Sequence, residues 1–182
     1  MTANSYLARP HAVFRPSYVA ALREGFVWAT RTAPDADAIA FIDSHFDDYL
    51  RQLDEDGQTP QGGAPRLSGV PANTFWLVED GDFIGAVNIR ARIDTPALAH
   101  FGGHVGYAVR PSRQGRGHGR RALALALDIC RGMGLGVVRL SCATDNVASR
   151  RVIEANGGLL LRAGAPAWYS PAPFLLYEIV LL

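Results

Sequence analysis

The sequence predicts a mixed α/β fold, a central mixed sheet of about six to seven strands flanked by helices on both faces. Three observations carry this expectation. Residues 74–92 read as a hairpin, two apolar runs around Asp80-Gly81-Asp82, whose Asp-Gly pair favours a tight turn. Beyond Val105, strand-like and helix-like periodicities alternate to the end of the chain. Between them, GHVGYAVRPSRQGRGHGRRA at 103–122 leads an apolar strand through a glycine-rich loop straight into a helix. At 182 residues the chain is long enough to bury a proper core, and one domain over 1–182 is expected.

Taken in order, residues 11–15 (HAVFR) suit a short first strand stopped by Pro16, with Ser17 capping a helix whose stripe of Tyr18, Leu22, Phe26 and Trp28 runs to about Thr30. A second helix begins near Pro34-Asp35. Its apolar face holds Ile39, Ile42, Phe46, Tyr49, Leu50 and Leu53 over five turns, while Asp43, Asp47, Asp48, Asp54 and Glu55 occupy the rest. Those carboxylates are either a solvated face or a greeting for a cationic partner. Residues 56–71 turn abruptly to glycine and proline and form a long loop, either a lid or a connection without a role. In the hairpin, alternation puts Ile84, Ala86, Asn88 and Arg90 on one face and Phe83, Gly85, Val87, Ile89 and Ala91 on the other. The central strand divides likewise, Gly103, Val105, Tyr107 and Val109 against His104, Gly106, Ala108 and Arg110. A buried helix from Gly117 to about Met133, a strand at 136–142, a helix at 146–156, strands at 159–162 and 174–182, and a loop at 166–173 complete the chain.

The glycine-rich junction is where chemistry concentrates. Backbone N–H groups at a helix start have no intrahelical partner, the dipole is positive there, and glycines let an anion approach the backbone. Arg113, Arg116, Arg120 and Arg121 add positive charge, so the loop is a polyphosphate site. A Walker loop needs a lysine, and the chain has none. A dinucleotide fingerprint needs G-x-G-x-x-G and a carboxylate about 20 residues on; here the spacing is Gly115-x-Gly117-x-Gly119, and residues 133–136 carry no carboxylate.

What remains, Gln114-x-x-Gly117-x-Gly119 after a strand, resembles the acetyl-CoA loop of the GNAT N-acetyltransferase superfamily. The next strand, followed by Asp145-Asn146-x-x-Ser149, resembles the segment whose Asn faces the cofactor in that family. The resemblance extends from about Thr74 to the C-terminus. It implies a GNAT-like fold with acetyl-CoA as acetyl donor and no metal, and direct attack by a neutral primary amine of a small molecule or peptide. It divides the chain into an acceptor side, 1–72, and a sheet core with the acetyl-CoA site, 73–182. The implied cofactor contacts are main-chain groups of Tyr107, Ala108 and Val109, the loop residues Gln114, Gly115, Arg116, Gly117, His118, Gly119 and Arg120, and Asn146 with Ser149. An N–H near Val109 would polarise the thioester carbonyl.

Two departures bear on catalysis. The family's glutamate eleven residues before the loop Gln is Gly103 here, and the tyrosine seven residues after the Asn is Ile153. His104 is the candidate base, with a water chain as the equal alternative. Tyr107, Tyr169 and Tyr177 are candidate acids without positional support. A second function class therefore stands beside the transferase: an acyl-CoA-binding module of the same fold with impaired turnover.

Composition excludes more than it selects. Eighteen basic against seventeen acidic side chains give a formal charge of +1, so no global field draws nucleic acid or a membrane. Cys130 and Cys142 fit core positions. The N-terminus does not fit a signal peptide and no stretch approaches 18 apolar residues, so a cytoplasmic protein is expected, with a homodimer through exposed sheet edges as one option.

Overall fold

The structure is a computed structural model and describes residues 4–28, 32–58, 70–165 and 172–181. Seven strands form two antiparallel sheets. The first, in the order β1-β2-β3-β4, comprises β1 (Ser5–Ala8), β2 (Asn73–Glu79), β3 (Asp82–Ile89) and β4 (Val105–Val109). The second, in the order β5-β7-β6, comprises β5 (Val137–Ala143), β6 (Leu159–Gly164) and β7 (Phe174–Val180). Among the described residues five α-helices accompany them: α1 (Arg15–Arg23), α2 (Ala36–Ser44), α3 (Phe46–Gln58), α4 (His118–Gly132) and α5 (Val147–Glu154). No helix among the described residues is long and apolar enough to cross a membrane.

The sheets meet at one point. Gly103 bridges Leu140, the His104 N–H donates to the Arg139 carbonyl at 2.7 Å, and the Arg139 N–H donates to His104 Nδ1 at 3.0 Å. Gly103 is needed there. Its φ is +69°, and a Cβ would lie 2.3 Å from the Arg139 oxygen. Beyond this junction β4 pairs only with β3, and β5 only with β7.

Two cores occupy the two faces. Leu77, Ile84, Val87, Ile89 and Val105 pack with Leu123, Ala126, Leu127 and Cys130 of α4 and with Val138 and Leu140 of β5. On the opposite face Trp76, Val78, Phe83 and Ala86 pack with Tyr18, Val19, Leu22, Phe26 and Phe46 under α1–α3. Tyr18 stacks on Trp76 with centroids 4.6 Å apart, and Phe83 meets both edge-on.

The structure corrects several expected boundaries. Residues 11–15 are not a strand: His11 Nδ1 accepts from the Val13 N–H, a 3₁₀ turn follows, and Pro16 sits in the first turn of α1, where its fixed φ suits a helix. The short edge strand is Ser5–Ala8. Helix α1 stops at Arg23 because Gly25 turns left-handed, φ +86°, and returns Phe26 to the core. The second helix is two helices, broken at His45, where Ser44 Oγ donates back to the carbonyls of Ala40 and Phe41. Helix α3 runs into the stretch that composition assigns to loop, as far as Gln58. The rest of that loop, 59–69, and residues 166–171 of the last connection lie outside the described residues.

The alternation in β3 also fails at one place. Leu77 pairs with Gly85 but Val78 with Phe83, so Ile84 is an extra residue, a β-bulge. The bulge puts Phe83 in the same core as Ala86 and sends Ile84 to the α4 side.

Arg110, buried at the end of β4, fastens the helical layer to the sheet. Its Nη1 donates to the carbonyls of Phe83 at 3.1 Å and Ser17 at 3.3 Å, its Nε to Glu24 Oε2 at 3.2 Å, and its Nη2 pairs with Glu24 Oε1. The same Glu24 accepts from the Ser112 N–H. Hydrogen bonds from the Arg110 guanidinium hold the Glu24 carboxyl at about 2. A depressed carboxyl stabilises the fold above its unfolded pKa, near 4.5, and that contribution is lost as pH falls toward 2. Glu24→Gln is expected to lower stability in urea at pH 7 by about 2 kcal/mol. The wild-type advantage should shrink between pH 4.5 and 2; a constant difference across that range would refute the assignment.

Candidate functional site

The site is built on the unpaired edge of β4. Two bonds fix the phase of its ladder: the Arg90 N–H donates to the His104 carbonyl and the Arg110 N–H to the Ile84 carbonyl. Even-numbered residues of β4 therefore turn their peptide groups toward β3, and Tyr107 and Val109 turn theirs to the open side. Ala108, expected beside Tyr107 and Val109 among the main-chain contacts, turns its N–H and C=O toward β3. The Val109 carbonyl accepts from Gln114 Nε2 at 3.0 Å, which ties the loop to the strand. The Val109 N–H and both Tyr107 groups remain on the edge.

The loop that follows has the geometry of an anion nest. Gly115 and Gly117 take φ of +72° and +86°, and Gly117 is the N-cap of α4. The first helical bond runs from the Arg121 N–H to the Gly117 carbonyl, so the N–H groups of His118, Gly119 and Arg120 have no intrahelical acceptor. No side chain caps this helix. Gly119 keeps α4 and α5 close, since a Cβ there would stand 3.3 Å from Val152 Cγ2.

The arginines are not equivalent. Arg113 lies 3.7 Å from Asp82, and Arg121 donates to the Ser5 carbonyl at 3.2 Å, holding β1. Arg116 and Arg120 are exposed and have no ion pair among the described residues. The His118 side chain turns inward. Its Nδ1 is 3.7 Å from Glu79 Oε1, which also accepts from Ser5 Oγ at 2.6 Å. These residues, with Arg116, Gly117 and Arg121, border a hollow of about 550 Å³ next to the nest. Nothing in their spacing along the chain announces this cluster.

Asn146 caps α5, its Oδ1 accepting from the Ser149 N–H at 3.0 Å, and is exposed. The Ser149 carbonyl accepts from the Tyr107 hydroxyl at 3.3 Å. The strand edge, the nest and the α5 cap are thus linked. Burial pushes the Tyr107 phenol up to about 12. The Tyr177 hydroxyl donates to Glu154 at 3.2 Å, and its phenol is raised by burial and by that carboxylate. Tyr169 lies outside the described residues. Cys130 and Cys142 are free and buried, their thiols raised by burial.

His104 is buried, with 8% of its surface exposed, and its Nδ1 lone pair is committed to the Arg139 N–H. The proton of the neutral ring therefore resides on Nε2. Burial lowers its pKa, and the charge of Arg139 pushes it the same way. The only lone pair a base could use is the one that joins the two sheets.

Comparison with known proteins follows this geometry. The model of the acetyltransferase (GNAT) family matches residues 39–157. No curated protein sequence matches. Among solved structures, a Salmonella typhimurium acetyltransferase that modifies the N-terminal serine of a 50S ribosomal subunit protein superposes with a TM-score of 0.67 at 14% identity, over 100% of this chain and 96% of that one. A microcin self-immunity acetyltransferase, MccE, solved with acetyl-CoA and AMP, gives 0.61 at 15% identity over 97% and 92%. An acetyltransferase of the GNAT family from Streptococcus pneumoniae gives 0.59 at 16% identity over 98% and 99%. At these identities the structures establish the fold.

The His104 clamp makes a pH prediction. A folded pKa below the reference 6.5 means that stability is full above 6.5 and falls as the unfolded state gains a proton the native state resists. His104→Gln should cost about 1–3 kcal/mol at pH 7.5. It should also flatten the stability loss of the wild type below pH 6.5, measured by urea titration. An unchanged acid limb would mean that His104 does not titrate with folding.

Proposed function

The chain belongs to the GNAT acetyltransferase family, on a match across most of its length, and we propose that it is an N-acetyltransferase working by direct attack of a primary amine on acetyl-CoA. The observation that carries this reading is the continuity between the open edge of β4 and the nest at α4. The Tyr107 peptide groups, the Val109 N–H and the first N–H groups of α4 are donors and acceptors without a partner among the described residues, at the two ends of one strand-to-helix turn. A molecule with an amide-bearing arm and a pyrophosphate satisfies both halves, and acetyl-CoA is such a molecule.

In this reading Gly115, Arg116, Gly117, His118, Gly119 and Arg120 hold the pyrophosphate, through backbone N–H groups and two free guanidinium groups. His118 contributes its N–H alone. Tyr107 and Val109 hold the amide arm, and Asn146 and Ser149 border it from α5. When bound, acetyl-CoA supplies an activated thioester. The chain orients its carbonyl toward an N–H donor on β4 and brings the amine in from the α1–α3 side, residues 1–72 serving the acceptor and 73–182 the donor. The whole chain then acts as one catalytic domain.

His104 is assigned here to the frame, because protonating Nδ1 would break the junction of the sheets. Removal of the ammonium proton then falls to water, and no tyrosine is placed as an obligatory acid. The same features favour the second reading, a CoA-binding module with impaired turnover: neither Gly103 nor Ile153 carries the family's polar group.

Thermal unfolding with excess acetyl-CoA separates the cases. At 100 times its Kd a ligand adds about 2.7 kcal/mol, which raises Tm by several degrees. Gly117→Glu should abolish that shift by filling and charging the nest, and an unchanged shift would refute the loop assignment. Thiol release with a panel of primary amines then decides turnover: release supports the transferase, and binding without release supports the module.

A further inference from the structure

Resting on the transferase reading, the geometry points to Arg90 as an anchor for a carboxylate on the acceptor, so that the substrate is an amine carrying a negative charge several bonds from its nitrogen. Arg90 Nε is shut off from solvent and has no hydrogen-bond partner. No ion pair among the described residues involves this guanidinium, and burial lowers its pKa. A desolvated guanidinium without a counter-charge is costly, and a functional site is where that cost is tolerated.

Its position says what the charge is for. Arg90 stands opposite His104 and continues the face of β3 that carries Ala86 and Asn88. Asn88 is opposite Gly106 and accepts from the buried Thr74 hydroxyl at 3.1 Å. Ala108, on the same face of β4, packs under the α1–α3 layer. Past that aromatic core a Cβ built on Gly106 meets nothing within 4 Å. The floor is therefore half-exposed Asn88 and Gly106, beside the buried Thr74, bounded at one end by Arg90. From Arg90's partner His104 to Tyr107 is three residues, about 10 Å along the strand. An acceptor lying on this floor places its amine at the β4 edge and its anion on Arg90, which can bind a carboxylate in bidentate fashion.

The test compares acetyl transfer to ω-amino acids, from β-alanine to ε-aminocaproate, with transfer to alkylamines of matching length, in the wild type and Arg90→Gln. The carboxylate-bearing amines should be favoured by about tenfold or more in kcat/KM. Arg90→Gln should erase the preference through KM while the Tm shift with acetyl-CoA persists. A ligand-free Tm that is unchanged or raised in Arg90→Gln excludes a merely structural role, since an unpaired charge has been removed. Peptides beginning Ser-Glu or Ser-Gln form a second arm, and a preference seen only there assigns the carboxylate to a peptide side chain. Equal rates with and without the carboxylate in both arms, or a preference that survives Arg90→Gln, overturns the proposal. If acetyl-CoA binds but no amine turns over, the transferase reading fails by itself. Calorimetric titration of the CoA-bound protein with ε-acetamidocaproate then decides the anchor: heat that vanishes in Arg90→Gln supports it, and no heat or unaffected heat overturns it.

Discussion

Strand β4 has two edges and pairs along only one of them. Everything functional in this fold follows from how that asymmetry is held. A strand edge left open tends to recruit another strand, and β5 is the natural recruit. The two strands meet only at the Gly103 and His104 junction among the described residues. It fixes Arg139 and Leu140 to the start of β4, and beyond it the Tyr107 peptide groups and the Val109 N–H face an open edge. The clamp requires a residue that tolerates φ of +69° with a carbonyl 2.3 Å from a would-be Cβ, followed by a side chain that accepts a backbone N–H. Gly-His supplies both.

At the other end of β4, Arg110 and Glu24 hold the base of the glycine loop against α1. The bridge is buried on the arginine side and partly open on the glutamate side, and every named contact of the guanidinium is a hydrogen bond to a carbonyl or a carboxylate. Such a bridge specifies position more than it adds stability. Here the position is that of Ser112 and the turn into Gln114, hence of the nest itself. The two clamps use opposite logic: His104 must stay neutral to accept, and Arg110 must stay charged to donate.

The loop and its neighbours were legible in the sequence because their chemistry is local. Gln114, Gly117 and Gly119 are close in the chain and close in space, and Asn146 announces the start of α5. Where reasoning from sequence missed, the cause was non-local or a single inserted residue. The bulge at Ile84 moved Phe83 and Ile84 to faces that simple alternation denied them, and nothing in FIGAVN marks it. The partner of His104 is Arg139, 35 residues away, and no local pattern points to it. Arg90 was assigned correctly to the face of Ala86 and Asn88, yet its lack of a counter-charge became visible only with the fold. Ser5, Glu79 and His118 come together from three distant stretches.

The sheet carries a different interior on each face: an aliphatic one under α4, and an aromatic one, built around the Tyr18–Trp76 stack, under α1–α3. Strands β2 and β3 carry buried side chains of both. Inherited change can therefore accumulate on the aromatic side, reshaping the floor beside Gly106, while the β4 edge and its glycine loop keep the same frame. A lineage built this way can exchange one partner of its reaction and retain the other, provided the shared strands hold their register.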